Sequence, residues 1–231
     1  RVHDDFVICK EFCFFFFYTF IVYSSSFSHL RLHWKSMEET VVHRDKTFTG
    51  VDYSEKTLRN REFVNCTFVS CSFHKSDLMG NAFEDCIFQQ CDFTMAVIDS
   101  VGFRNAEFNG CKMLGLDFTR CNMFAFSFSF KGCFLDYSNF FGTKLRKTIF
   151  TNCKLTEVEF TEADLTSSAF RNCDLSATRF SNTNLEKVDF STAINFAIDP
   201  DRNKMKKAKF SAMNLSGLLF KYNLDIDYDS H

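Results

Sequence analysis

Cysteine is the residue type in this chain best suited to chemistry, because eleven occur in 231 residues. Thiolates can bind zinc or exchange disulfides. Zinc requires ligands that converge on one point, and neither a C-x-x-C pair nor a partner histidine accompanies these cysteines. We therefore interpret them as buried free thiols that fill small spaces, with disulfides between ladder neighbours as the alternative. Nine of them follow a five-residue spacing: Cys66, Cys71, Cys86, Cys91, Cys111, Cys121, Cys133, Cys153 and Cys173.

Other catalytic groups are sparse. His43 and His74 stand alone, no serine, histidine and aspartate form a credible set, and no glycine-rich phosphate loop is present. The sequence therefore predicts a protein that is not an enzyme, with no catalytic residue, no cofactor and no metal site.

The cysteines belong to a regularity that extends over most of the chain. An apolar residue occurs at every fifth position from Phe48 to Phe128 and, after a two-residue shift, from Leu135 to Phe190. The residue two positions earlier is nearly always small, and polar residues occupy the other three places. A period of five fits neither a helix nor a strand. Fixed-period self-similarity instead predicts a solenoid, in which each repeat packs only on its neighbours.

This five-residue unit resembles that of the pentapeptide repeat family over about residues 46–221. The resemblance implies an all-β fold, a right-handed quadrilateral parallel β-helix with one pentapeptide per side and four per coil. Equivalent residues would then lie twenty positions apart, so we expect Leu135 beneath Leu155 and Phe140 beneath Phe160. Glycines two positions after a centre, such as Gly50 and Gly217, should occupy corners with positive φ.

The interruptions of the pattern suggest four segments. Residues 1–36 are a non-repeat leader, which we interpret as an over-extended gene model; the alternative is an export or membrane segment at 12–23, where the apolar run is too short to span a bilayer. Residues 37–193 form the β-helix, with a phase slip near 124–134. Residues 194–209, which contain the only proline, are expected to be an external loop. Residues 210–231 complete the repeats and form a tail.

Charge and composition restrict the partners. The net charge of −2 is weak, and lysines cluster only at 204–209, so the sequence argues against direct nucleic-acid binding. The many unpaired thiols favour the reducing cytoplasm. The open end of the solenoid invites association, so the tail is expected to cap it or to pair two copies. The candidate dimerisation residues are Leu218, Leu219, Phe220 and Tyr222.

Within the family, the segments 111–118 and 126–133 and the tail most resemble the quinolone-resistance (Qnr-type) proteins. That resemblance implies a dimeric DNA mimic that binds gyrase or topoisomerase IV and protects it from quinolones. Asp77 and Asp117 would supply its outward carboxylates. At the phase slip, residues 124–134 form either a β-bulge or an exposed aromatic contact patch, with Phe126 and Phe130 as the candidate contacts of a general interaction scaffold. The outward positions also contain many lysines and arginines, which favours the alternative of a general interaction scaffold with an unrelated partner.

Overall fold

The computed structural model describes residues 40–227, which form a β-solenoid with parallel strands throughout. Each residue pairs with the one twenty positions further on, as Phe48 does with Phe68 and Phe68 with Phe88. Pentapeptide sides give four walls per coil, confirming the predicted fold class. We name the walls by the centres in one coil: wall A by Phe68, wall B by Phe73, wall C by Leu78 and wall D by Phe83.

The strands are short because each wall is only five residues long. Strands β1, β3 and β5 pair on wall D, and β2, β4 and β6 on wall A, while β7 runs across both walls and β8 to β10 continue wall A. Walls B and C are joined by single bridges, such as Ser72 with Asp92 and Asp77 with Val97. The bounds are β1 Val41–Arg44, β2 Thr47–Thr49, β3 Arg61–Val64, β4 Thr67–Val69, β5 Ala82–Glu84, β6 Ile87–Gln89, β7 Gly102–Asn109, β8 Phe126–Lys131, β9 Ile149–Thr151 and β10 Ala169–Arg171.

Helical structure is limited to single turns near the phase slip and the C-terminal end. Among the described residues there is one short α-helix, α1, at Ser216–Leu219. The 3-10 turns are Phe118–Arg120, Met123–Ala125, Pro200–Arg202, Ala212–Asn214 and Phe220–Tyr222. No helix within residues 40–227 is long and apolar enough to cross a bilayer.

The corners of the coil have a left-handed backbone. Every fifth residue from Asp45 to Gly115, and again from Gly132 to Lys187, has positive φ. This confirms the corner placement of glycines such as Gly50, but Gly217 is an exception. Gly217 lies in α1, and a Cβ there would come within 2.2 Å of the carbonyl oxygen of Phe196. Its lack of a side chain is required by close packing rather than by positive φ.

The bore is filled by stacked side chains. Wall A carries nine phenylalanines whose neighbouring ring centroids lie 4.8–5.4 Å apart. On wall B the Leu135 amide donates to Lys154 one coil on, which places Leu155 next to Leu135 as predicted. On wall C Phe140 stacks on Phe160 at 5.1 Å. Each fully buried ring contributes about 2–3 kcal/mol of hydrophobic stabilisation. The nine rings are Phe48, Phe68, Phe88, Phe108, Phe130, Phe150, Phe170, Phe190 and Phe210.

The phase slip is confined to wall D. The Asn122 amide still donates to Val101 as in a regular coil, whereas Phe108 on wall A already pairs with Phe130, twenty-two residues on. The 3-10 turn Met123–Ala125 and an irregularity between β7 and β8 accommodate the two extra residues. The sequence pattern places Met123 at a buried centre, but Met123 is exposed. The regular series of buried centres therefore ends at Phe118, earlier than the sequence indicates.

The prediction of an external loop at 194–209 is wrong. Ile194 pairs with Asp174 and Lys204 with Asn184, so the segment continues the walls. The beat is lost at Asn195 because Phe196 turns into the core instead. The proline is tolerated because it begins the 3-10 turn Pro200–Arg202, where a backbone N–H is not needed.

Candidate functional site

Six cysteines form one continuous column on wall B. The sequence shows two ladders of three, but pairing across the slip joins them, because the Phe134 amide donates to Cys111 and the Lys154 amide to Cys133. All six are free and buried. Their thiols donate to backbone carbonyls, for example Cys133 Sγ to the oxygen of Phe108 at 3.3 Å. The column is Cys71, Cys91, Cys111, Cys133, Cys153 and Cys173.

These thiols are poorly suited to reaction. Burial raises the pKa of Cys71, and it raises the pKa of Cys86 on wall A to about 12, whereas hydrogen bonds with neighbouring thiols in the column lower the pKa of Cys91 and of Cys153. All of these thiols are buried, and a thiol that is inaccessible from solvent can neither attack a substrate nor readily bind a metal ion. Within residues 40–227 no group of three or more histidine, cysteine, aspartate or glutamate side chains could hold a metal ion. The cysteines therefore act as small packing residues.

The histidine of the first coil also serves packing. His43 stacks on Phe63 with ring centroids 4.9 Å apart, and its buried Nδ1 has no hydrogen-bond partner among the described residues. Burial, with the nearby charges of Lys46 and Arg61, lowers its pKa. No carboxylate among residues 40–227 bonds to this ring, so within them it lacks the partner that general acid-base catalysis would use.

Outward carboxylates on the walls have a structural role. Asp117 accepts hydrogen bonds from the Thr119 amide at 3.1 Å and from the Thr119 hydroxyl at 2.6 Å. Asp77 accepts from the Met79 amide at 3.0 Å in the same way. The side chain before a wall centre thus caps the turn that follows it, which explains why Asp, Asn and Glu recur there. The same contact is made by Asp52, Asp92, Asn139, Glu159, Asp164, Asp174, Asn184 and Asp189.

Arginines from adjacent positions neutralise several of these acids. The Arg59 guanidinium bonds to Asp77 and holds the pKa of that carboxyl below its usual range. Asp77 and Asp117 both lie on wall C, but they do not form a continuous acidic stripe, because Val97 pairs with Asp77 in the next coil. Four further ion pairs link neighbouring coils: Arg104 with Glu84, Arg120 with Asp99, Arg146 with Asp164 and Arg179 with Glu159.

The predicted aromatic patch is only partly at the surface. Phe130 is wrong as a contact residue, because it is 1% exposed and belongs to the wall A column. Phe126 is partly buried against the core. The exposed aromatic residue is instead Phe124, whose exposure is 100%. It lies on the 3-10 turn at the slip, next to Met123, and no five-residue pattern could have distinguished it from the buried phenylalanines nearby.

Other apolar side chains on the following coil are also exposed. Phe134 lies on wall B between Lys112 and Lys154. Tyr137 occupies the corner between walls B and C, and Phe141 the start of the next corner. The positions of these residues one before or one or two after a centre could have predicted their exposure.

The tail combines capping with exposed apolar surface. Leu218 packs against the core, and the Ile198 amide donates to the Gly217 carbonyl at 2.9 Å. Lys221 bonds to Asp199 at 2.7 Å and to Asp201, which holds the tail on the 3-10 turn at Pro200–Arg202. Of the four dimerisation candidates, only Leu218 is covered. Leu219, Phe220 and Tyr222 remain exposed, as does Leu224.

A family model described as a pentapeptide repeat region matches residues 102–173 and 143–227. Among solved structures, the chain is similar to a trypsin-treated variant of QnrB1, a plasmid-mediated fluoroquinolone resistance protein, with 20% identity over 81% of this chain and 98% of that one and a TM-score of 0.47. Full-length QnrB1 shares 19% identity over 79% of this chain and 100% of its own, with a TM-score of 0.42.

HetL, a protein involved in heterocyst differentiation regulation from the cyanobacterium Nostoc sp., shares 15% identity over 73% of this chain and 86% of its own, with a TM-score of 0.34. No curated protein matches the chain.

Proposed function

This chain belongs to the pentapeptide repeat family, and from that premise we propose that it is a non-enzymatic scaffold that binds another protein through its outer walls. Within residues 40–227 its bore is filled by side chains except for a cavity of about 70 Å³ in the first coils, lined by rings such as Phe48 and Phe63, which is much smaller than an ordinary substrate pocket. Binding capacity must therefore lie on the outside. The fold alone does not identify a partner, so the exposed side chains of the walls have to indicate what kind of partner binds.

The proposal depends mainly on the complete exposure of Phe124. A phenylalanine buries about 150–250 Å² when it enters a pocket, so an exposed ring on a protruding turn is a strong potential anchor. The Phe124 amide is tied to Asn122 Oδ1 at 3.1 Å, which holds the turn. A ring presented in this way fits an apolar pocket on a protein partner.

A photo-crosslinking amino acid at position 124 tests this role. In cells, we expect one discrete protein adduct from position 124 and none from position 172, an exposed corner residue on the other side of the slip. Identical adduct patterns from the two positions would contradict the proposal.

A second candidate function is a DNA mimic that binds a bacterial type II topoisomerase. Its support is the position of Asp77 and Asp117 on one wall, two coils or about 10 Å apart. The arginine at Asp77 weakens such mimicry, so Asp117 is the better contact.

A supercoiling assay with purified gyrase and ciprofloxacin separates the two candidates. A topoisomerase-binding protein would restore supercoiling in the presence of the drug, and Asp117→Lys would abolish the effect. A scaffold with an unrelated partner would leave supercoiling unchanged while position 124 still crosslinks in cells.

The exposed part of the tail supports pairing of two copies. Leu219, Phe220, Tyr222 and Leu224 form an apolar surface beside the capped end of the solenoid. We expect a dimer in sedimentation equilibrium, and a monomer for Phe220→Asp. A wild-type chain that stays monomeric at high micromolar concentration would refute this pairing.

A further inference from the structure

Three of four successive coils carry lysines on wall D or at its corner with wall A, while the coil of Leu165 has Asp164 and Ser167 at the equivalent positions. Six of these lysines are exposed, and within residues 40–227 none of them forms an ion pair. Lys144 and Lys207 are sixty-three residues apart in the sequence, and only the coil brings them together. This lysine strip consists of Lys144, Lys147, Lys187, Lys204, Lys206 and Lys207.

The backbone fixes the positions of these lysines. On wall D, Lys144 pairs with Asp164, Asp164 with Asn184, and Asn184 with Lys204. These three steps of about 4.8 Å span about 14 Å. At the corner, Lys147 and Lys187 have the left-handed backbone that recurs there, and the Lys187 amide donates to Lys206 in the next coil.

Lys207 has the same left-handed conformation, which places it directly beside Lys187. The backbones of adjacent coils lie about 4.8 Å apart, so the positive charges of Lys187 and Lys207 repel each other. An arrangement that holds like charges together on a rigid support favours binding of an anion between them.

Three acids near the strip are less accessible than its lysines, whereas Asp201, three residues before Lys204, is exposed and bonds to Lys221. Asp164 is half-buried, and its oxygens bond to Thr166 and Arg146. Asp189 is likewise half-buried and bonds to Ser191. Glu186 is the third acid in this region and is also partly covered. Exposed Arg171 and Lys209 lie on the adjoining wall A and extend the positive surface.

The weak net charge of the chain therefore gives a poor estimate of the local positive charge of the lysine strip. Screening limits interactions between exposed charges to about 8 Å at physiological salt, so the acids of walls B and C do not cancel the strip. The net charge averages these lysines with acids elsewhere in the chain, and an external loop at 194–209 would separate residues 204–209 from the other lysines. The structure instead places that segment in register with Lys144 and Lys187.

We propose that the lysine strip binds the phosphate backbone of duplex nucleic acid without sequence preference. Lysine ammonium groups act as point charges that suit phosphates, and such contacts position a protein without reading bases. Of the exposed aromatic rings that could stack on bases, Phe134, Tyr137 and Phe141 lie on walls B and C and their corners, away from the strip, whereas Phe124 lies on wall D in the coil before Lys144. This activity goes beyond the protein-scaffold role and does not depend on it.

The test is fluorescence anisotropy with a fluorescein-labelled duplex of twenty base pairs between 50 and 200 mM salt. With six lysines engaged, log K should fall against log salt with a slope of about −5. The triple variant Lys147→Glu, Lys187→Glu and Lys207→Glu should reduce the slope to about −3 and weaken binding at least about tenfold. Glutamate fits these corners, because Glu157 and Glu162 have the same left-handed backbone.

The matched control changes three exposed lysines outside the strip by the same total charge. Lys75→Glu, Lys112→Glu and Lys154→Glu should change the affinity by less than about twofold, since their side chains lie on wall B and its corner. Circular dichroism should show all variants folded. An equal loss of affinity for the duplex in both triple variants would overturn the proposal. Tighter binding of labelled polyglutamate than of the duplex would also overturn it, and would indicate that the strip binds an acidic surface of a partner protein.

Discussion

Replacing one ring in the middle of the wall A column tests the central argument about the fold. Phe150 is fully buried, stacks on Phe130 at 5.1 Å and on Phe170 at 4.8 Å, and meets Phe160 edge to face at 6.1 Å. Phe150→Ala removes these contacts and leaves a cavity that a rigid stack cannot close. Large-to-small substitutions of this kind lower the free energy of unfolding by about 3–5 kcal/mol.

Urea unfolding followed by far-ultraviolet circular dichroism measures the loss. Phe124→Ala deletes the same atoms from a fully exposed ring and should change the free energy of unfolding by less than about 0.5 kcal/mol. The denaturant slope should remain unchanged if the remaining coils still unfold together. A loss below about 1 kcal/mol for Phe150→Ala, or equal losses for the two variants, would mean that the stacked rings do not hold the solenoid together.

Three further predictions concern packing, capping and titration. Gly217→Ala should lower the melting temperature and increase amide exchange in α1, because its Cβ would collide with Phe196; unchanged exchange would refute the close contact. Asp117→Ala should lower the free energy of unfolding by about 1 kcal/mol through loss of the bonds from Thr119, and Asp117→Asn should restore most of it. Burial raises the pKa of Cys86 to about 12, so the folded state favours the protonated thiol. The free energy of unfolding that this thiol contributes is therefore complete below about pH 9 and declines as the pH rises towards 12. Urea titrations at several pH values should show a smaller decline for Cys86→Ser.

The five-residue beat was sufficient to predict the coil, its four walls and its main stacks. Leu135 and Leu155 adjoin because apolar side chains at a fixed period can all be buried only if the chain returns to the same wall. Corner geometry was predicted for glycines alone. Non-glycine residues such as Lys187 and Tyr137 have positive φ at equivalent corners, because the surrounding coils impose it.

Surface features were predicted less well, because they depend on departures from the beat. The exposed Phe124 and the buried Phe130 are both phenylalanines in one aromatic segment, and only the location of the two extra residues separates them. The prediction of a loop at 194–209 was wrong for a similar reason. The buried residue there is Phe196, one position after the Asn195 that the five-residue spacing indicates, and the segment continues the walls. Ion pairs such as Arg59 with Asp77 link residues in different coils and have no local signature.

Confinement of the slip to one wall has a consequence for engineering. The turn Met123–Ala125 lengthens one side of a single coil, while the rings of Phe108 and Phe130 remain stacked at 5.4 Å beside it. A peptide tag or receptor-binding epitope inserted after Phe124 should therefore be displayed at mid-length without disturbing the interior, which makes this turn a natural grafting point on an otherwise uniform surface.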